Sequence, residues 1–185
     1  MQILSVPHWS SYLVFLFLHI PFYYLKENVE QKAKELKMSV EACGRKIRYD
    51  FFRKIMKQNG ANKIAVAHNF DDNVETILLN IMRGCGLKGL TGMEYFSNQI
   101  IRPLLDIEKK DILEYNNIQG LNPCFDKTNE ETIYLRNKIR LKLIPNLKDE
   151  YNINFSKNLT RMSKILKEDE EFLDELEEVL IMSDI

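Results

Sequence analysis

Four side chains able to move protons or hold metal, His68, Asp71, Asp72 and Glu75, crowd into the segment HNFDDNVE. They stand where a short apolar strand pattern, Ile64 to Ala67, runs into a helix. Polar groups at the carboxyl end of a strand in an α/β sheet sit where ligands bind. If the helix begins near Asp72, His68 lies just outside it, and Glu75 falls one turn along on the side of Asp71 and Asp72. Clustered carboxylates of this kind hold Mg²⁺ against nucleotide phosphates or take a proton from an attacking amine. The same spacing also suits a helix start, with Asp72 as N-cap and Glu75 as its partner three residues on. Both readings stay open on spacing alone. A dedicated zinc site is disfavoured, because the only histidines are His8, His19 and His68.

The helix is followed by RGCGLKGLTG, which gathers Gly84, Gly86, Gly89 and Gly92. Gly84 to Gly89 matches G-x-G-x-x-G literally, but it closes a helix, whereas a dinucleotide fingerprint follows a strand and opens one. That function is excluded here. The glycines then mark a loop needing positive φ or close backbone approach beside Arg83 and Lys88, or a plain helix C-cap and turn.

The elements that must position these groups follow from periodicity. Helices are predicted over Val29 to Leu36 and Val40 to Lys57, the second with Ser39 as N-cap and Gly60 past its end. A strand over Lys63 to Ala67 leads to a helix over Asn73 to Met82. A short strand near Ile100, a helix over Ile107 to Asn117, a loop holding Pro123 and Asp126, and a helix over Thr132 to Leu143 complete the order, with Pro145 marking the end. Strand alternating with helix predicts an α/β fold on a parallel sheet. Within Val40 to Lys57, Cys43, Ile47, Phe51 and Ile55 form a buried stripe, with Arg45 and Arg48 beside it. Ile139 and Leu143 mark the apolar side of the later helix, with Arg136 and Arg140 one turn apart. The fork of arginine suits phosphate or carboxylate, and an internal ion pair is the bland alternative for each pair and for Arg102.

The carboxyl end reads as one long helix. Phe155, Leu159, Met162, Leu166, Leu173, Leu176 and Leu180 make a single apolar seam, broken where Asp169 takes an apolar place. Such a seam packs on the core or self-associates, giving a homodimer.

Net charge is only −1, yet its distribution is uneven. Residues 31–63 hold ten Lys/Arg against three Asp/Glu, and residues 149–185 hold four against eleven. Basic stripes of this kind hold phosphates even in a neutral chain, although most lysines simply solvate helix faces. The 45% hydrophobic content excludes wholesale disorder. Cys43, Cys85 and Cys124 are far apart and odd in number, which predicts reduced thiols in the cytoplasm and no metal cluster. The apolar run from Tyr12 to Ile20 is too short to span a membrane and has no basic residue before it, so it reads as a buried strand.

Together, HNFDDNVETILLNIMRGCGLKGLTGM (68–93), 20–52, IIRPLLDIEKKDILEY (100–115) and DKTNEETIYLRNKIRLKLIPNL (126–147) resemble, in order, the blocks of the tRNA(Ile)-lysidine synthases of the PP-loop group of ATP pyrophosphatases. The resemblance implies a partial Rossmann-like PP-loop sheet in residues 1–106, a helical extension in 107–150 and a long amphipathic linker helix in 151–185. It implies ATP and Mg²⁺ as cofactors, tRNA(Ile) and L-lysine as partners, and no membrane. By it, the wobble cytidine is adenylated and the lysine ε-amine then displaces AMP. Asp72 and Glu75 would be the acidic catalytic pair, and His68, Arg48, Arg102, Arg136 and Arg140 would bind nucleotide, lysine or RNA.

One departure is clear. The family opens on an SGGxDS loop whose amides grip phosphate, and MQILSVPHWSSYLVFLFLH stands in its place. The chain therefore resembles an amino-terminally truncated or rearranged member. Three readings follow: a lysidine synthase homologue, a non-catalytic tRNA-binding remnant, and a fragment completed by another chain.

Overall fold

The computed structural model describes residues 21–121, 123 and 135–183. The expected first strand, Cys124, Asp126 and the start of the helix at Thr132 lie outside them. The described residues form two compact units, dividing between Ile64 and Ala65.

The first unit is a helical pair. Helix α1 (Val29–Glu35) is capped by Asn28, and α2 (Val40–Gln58) by Ser39, whose hydroxyl accepts the Ala42 N–H at 3.2 Å. Gly60 takes φ +63° just past α2, where a left-handed residue ends a helix at little cost. Val29, Ala33 and Cys43 are buried together, with Met38 and Ile47 packed against them.

The second unit holds all the candidate site residues except Arg48. A small sheet runs in the order β1 (Ile64–Ala65, which includes the residues on either side of the division), β3 (Ile100–Ile101), β2 (Phe96–Ser97). Strands β2 and β3 form an antiparallel hairpin with Phe96 opposite Ile101, a feature the sequence pattern did not announce. Asn98 and Gln99 at its tip both take positive φ, a conformation tolerated in tight turns. The Val66 N–H donates to the Ile101 carbonyl at 3.0 Å, extending the contact of β1 with β3.

Helices supply most of the packing. Helix α3 (Phe70–Met82) buries Val74, Ile77, Leu78 and Leu79 against Ile139 and Leu159, with Phe70, Leu143, Ile144 and Phe155 around them. After the short α4 (Leu87–Leu90) and the hairpin comes α5 (Lys109–Ile118). A continuous helical stretch then runs from α6 (Leu135–Lys138) through a π-helical turn (Ile139–Leu143), α7 (Ile144–Asn146) and a second π-helical turn (Leu147–Tyr151). Helix α8 (Phe155–Ser183) closes the unit.

Three expectations need correction. Helix α3 starts at Phe70 rather than near Asp72, because Asn69 and not Asp72 is the N-cap. Its side chain accepts the Asp72 N–H at 3.0 Å while the Asp72 carboxylate accepts the Asn69 N–H at 3.1 Å, a reciprocal capping box. Pro145 does not end its helix: it sits at the first positions of α7, between two wider π-helical turns, where its missing N–H is tolerated. The seam of α8 also divides. Its first half buries Leu159 together with Ser156, Thr160 and Ser163, while Met162, Leu173, Leu176 and Leu180 are exposed. Small hydroxyl side chains let α8 approach closely, and Thr160 satisfies its own hydroxyl on the Ser156 carbonyl at 3.1 Å.

Candidate functional site: a carboxylate-clamped arginine pair

The first two turns of α3 and the start of the α6 stretch bring Asp72, Glu75, Arg136 and Arg140 together. Glu75 is 1% exposed, so its charge requires partners. Arg136 Nε donates to Glu75 Oε2 at 2.7 Å, Arg140 Nε to Oε1 at 2.6 Å, and Arg140 Nη2 to Oε2 at 3.0 Å. Two guanidinium groups thus hold one carboxylate from both sides. Ile139, buried between the two arginines in sequence, anchors their backbone in the core.

Asp72 closes the same cluster nearer to solvent. Its Oδ1 receives Arg136 Nη2 at 3.3 Å and lies 3.5 Å from Arg140 Nη2, with one fifth of the side chain exposed. Its other oxygen serves the α3 cap. The four residues carry two negative and two positive formal charges, with the arginine side chains about one third exposed. The hydrogen bond to Glu75, aided by the nearby carboxylates, raises the Arg140 pKa further above its already high ordinary value.

The adjacent aspartate does something else. Asp71 Oδ2 accepts the Lys109 N–H at 2.7 Å, capping α5, whose own N-cap residue Glu108 makes no side-chain cap bond. Arg102 Nε donates to His68 Nδ1 at 3.3 Å and Arg102 Nη1 to the Glu94 carbonyl at 2.6 Å. This makes Nδ1 an acceptor and assigns the imidazole proton to Nε2. Arg48 belongs to the first unit, exposed on α2, and Arg45 there lies 5.2 Å from the Tyr49 ring centroid.

The glycine loop is packing machinery. Gly84, at φ +72°, follows the C-cap Arg83, as the helix-ending alternative requires. Gly92, at φ +73°, approaches so closely that a Cβ would stand 2.6 Å from Asn73 Oδ1, which itself accepts the Met93 N–H.

An unforeseen network lies at the hairpin. The Tyr95 hydroxyl donates to Asp106 Oδ2 at 2.7 Å and Lys164 to Asp106 Oδ1 at 3.0 Å. The Tyr95 bond, then Lys164, lowers the Asp106 pKa, while burial and that bond raise the pKa of Tyr95. No periodic signal links residues so far apart in sequence.

Comparison with known proteins agrees with this architecture. Residues 15–147 match the PP-loop domain. The chain belongs to the PP-loop family. Within the span of this PP-loop chain, a tRNA(Ile)-lysidine synthase of Caldanaerobacter subterraneus subsp. tengcongensis is 46% identical over 157 residues, covering 85% of the chain and 34% of that protein. The tRNA(Ile)-lysidine synthase of Clostridioides difficile is also 46% identical, over 84% of the chain and 34% of its own length. The chain thus spans about a third of the length of these curated relatives. A solved structure of the U34-tRNA thiolase NcsA from Methanococcus maripaludis superposes with a TM-score of 0.60 at 18% identity, covering 85% of this chain and 56% of that one. This likeness shows that the PP-loop fold is shared.

Proposed function

We propose that this PP-loop chain takes part in the ATP-dependent attachment of L-lysine to the wobble cytidine of tRNA(Ile), in the cytoplasm. The observation that carries the reading is the arginine pair fixed by buried Glu75, with Asp72 at its solvent edge. Donors locked in place before a negative charge develops cost no reorganisation when it does. Arg136 and Arg140 would therefore take the anionic leaving group or a phosphate of the nucleic acid. Asp72, partly exposed, would receive the amine or its proton. Glu75 has both oxygens engaged and is out of solvent, so it serves as a positioning residue that aims the two forks.

The cofactors implied by the family fit unequally. Among the described residues no group of three or more His, Cys, Asp or Glu side chains is placed to hold a metal. Asp72 and Glu75 are already neutralised by two guanidinium groups, which repel a second cation. Mg²⁺ does not fit this cluster. Phosphate does suit the partly exposed forks of Arg136 and Arg140, and ATP, when bound, would supply the adenylyl group that activates the base. His68 with Arg102, and Arg48 on the first unit, would contribute to nucleotide or RNA contacts.

The test is transfer of labelled lysine to tRNA(Ile) with ATP. Incorporation that falls at least about a hundredfold in Asp72→Asn supports the reading. No incorporation, with salt-sensitive tRNA binding retained, would replace it by the second reading, a non-catalytic tRNA-binding protein. That second reading is favoured by the basic run of residues 31–63, with ten Lys/Arg against three Asp/Glu.

A further inference from the structure

A cavity of about 50 Å³ lies in the second unit, walled by α3, the end of the glycine loop, the hairpin and α8. None of its lining residues belongs to the arginine cluster. A single water needs about 10–15 Å³ of such room, so the cavity fits a group of about three or four heavy atoms. Its wall has donors to spare. Ser163 is 2% exposed and makes no hydrogen bond among the described residues. No side-chain oxygen or nitrogen among those residues is both sealed off and unpaired, so the Ser163 hydroxyl opens into the cavity that this residue lines.

Asn73 adds to the excess. Its Oδ1 accepts the Met93 N–H at 2.8 Å, which fixes the amide orientation and leaves the two N–H groups of Nδ2 without a partner among the described residues. Lys167 stands one turn beyond Ser163 on the same side of α8, its side chain 37% exposed and its ammonium 3.5 Å from Glu171. The carboxylate on the wall, Asp106, is already taken by Tyr95 and Lys164. Nearly buried donors without partners are costly, and donors in excess of acceptors select an anion. We propose that this cavity binds a carboxylate, with the Ser163 hydroxyl, Asn73 Nδ2 and Lys167 Nζ as its donors. A carboxylate has three heavy atoms and one charge, which match the room and the single lysine not held by Asp106. A phosphate is larger and carries close to two charges. The carboxylate belongs to a simple organic acid or to an α-amino acid, whose ammonium Asp106, 58% exposed, would receive.

Titration of the full, isotope-labelled chain with sodium acetate at constant ionic strength, followed by NMR at the Asn73 side-chain amide, tests the site. A saturable shift in the millimolar range is expected. Ser163→Ala should weaken acetate at least about fivefold, the worth of one hydrogen bond to a charged group. The same variant should leave the thermal midpoint of the ligand-free chain unchanged or raised, because the hydroxyl it removes has no partner. Lys167→Met should weaken acetate as well. Glycine separates the two sources: tighter binding than acetate, lost in Asp106→Asn, assigns an amino acid, and equal or weaker binding assigns a simple acid. An amide signal that does not saturate by about 100 mM acetate overturns the proposal and leaves an ordinary hydrated cavity, since weaker binding is worth less than a single such hydrogen bond. Inorganic phosphate that binds more tightly than acetate overturns it too, as does a Ser163→Ala chain that melts well below the parent or binds acetate equally well.

Discussion

Two charged networks in the second unit use the same kinds of groups in opposite surroundings. Around Glu75, one buried carboxylate is held by two arginines. Around Asp106, a carboxylate with 58% of its side chain exposed is held by Tyr95 and Lys164. The distances are similar, so geometry does not separate them. Water does. Removing one partner from a buried network strands a charge, whereas an exposed network returns its groups to solvent. The first network therefore fixes the shape of a site, and the second trims a surface.

The widest gap between them should come from Glu75→Ala. With both guanidinium groups left facing each other in a partly buried space, the chain should lose about 3–5 kcal/mol in chemical denaturation. An effect below about 1 kcal/mol would mean that water already enters the cluster. Next, Arg140→Met should cost about 2–3 kcal/mol alone. It should cost clearly less when Glu75→Gln is already present, and strict additivity in that double-mutant cycle would remove the shared clamp. A smaller effect, about 1 kcal/mol, is expected for Asn69→Ala, which opens the capping box that positions Asp72, read as a lowered thermal midpoint.

The smallest effect belongs to the exposed network. Asp106→Asn should change stability by under about 1 kcal/mol, and by less still in high salt. Its pH dependence has a fixed sign. The folded pKa of Asp106 lies below the unfolded value of about 3.9. Its contribution is present above that unfolded value and disappears as pH falls through the lowered folded pKa. A pH profile of stability in which the Asn variant converges on the parent chain at neutral pH and diverges in acid would contradict the assignment.

Much of this was legible from residue order. The helix at Val40, its Ser39 cap and the glycine that follows were readable because caps and stripes are local signals. The meeting of Asp72 and Glu75 with Arg136 and Arg140 was not, since it joins residues 61 to 68 positions apart through tertiary packing. Spacing offered Asp72 as a cap and missed Asn69, although N-x-x-D is as good a box as D-x-x-E. Phe70, partly buried against the core, occupies the first helical position that the Asn69 cap allows. The π-helical turns around Pro145 were hidden for a related reason: a wider turn leaves no mark on the alternation of apolar residues.

Asp71 and Asp72 are neighbours in one short motif, yet the first spends its carboxylate on the opening amide of α5 and the second on the arginines. Scanning mutagenesis that records only turnover would score the two as a matched catalytic couple. Asp71→Asn would instead fail by slackening a distant helix, and protection of the Lys109 to Ile118 amides from exchange would expose the difference between a broken reagent and a broken scaffold.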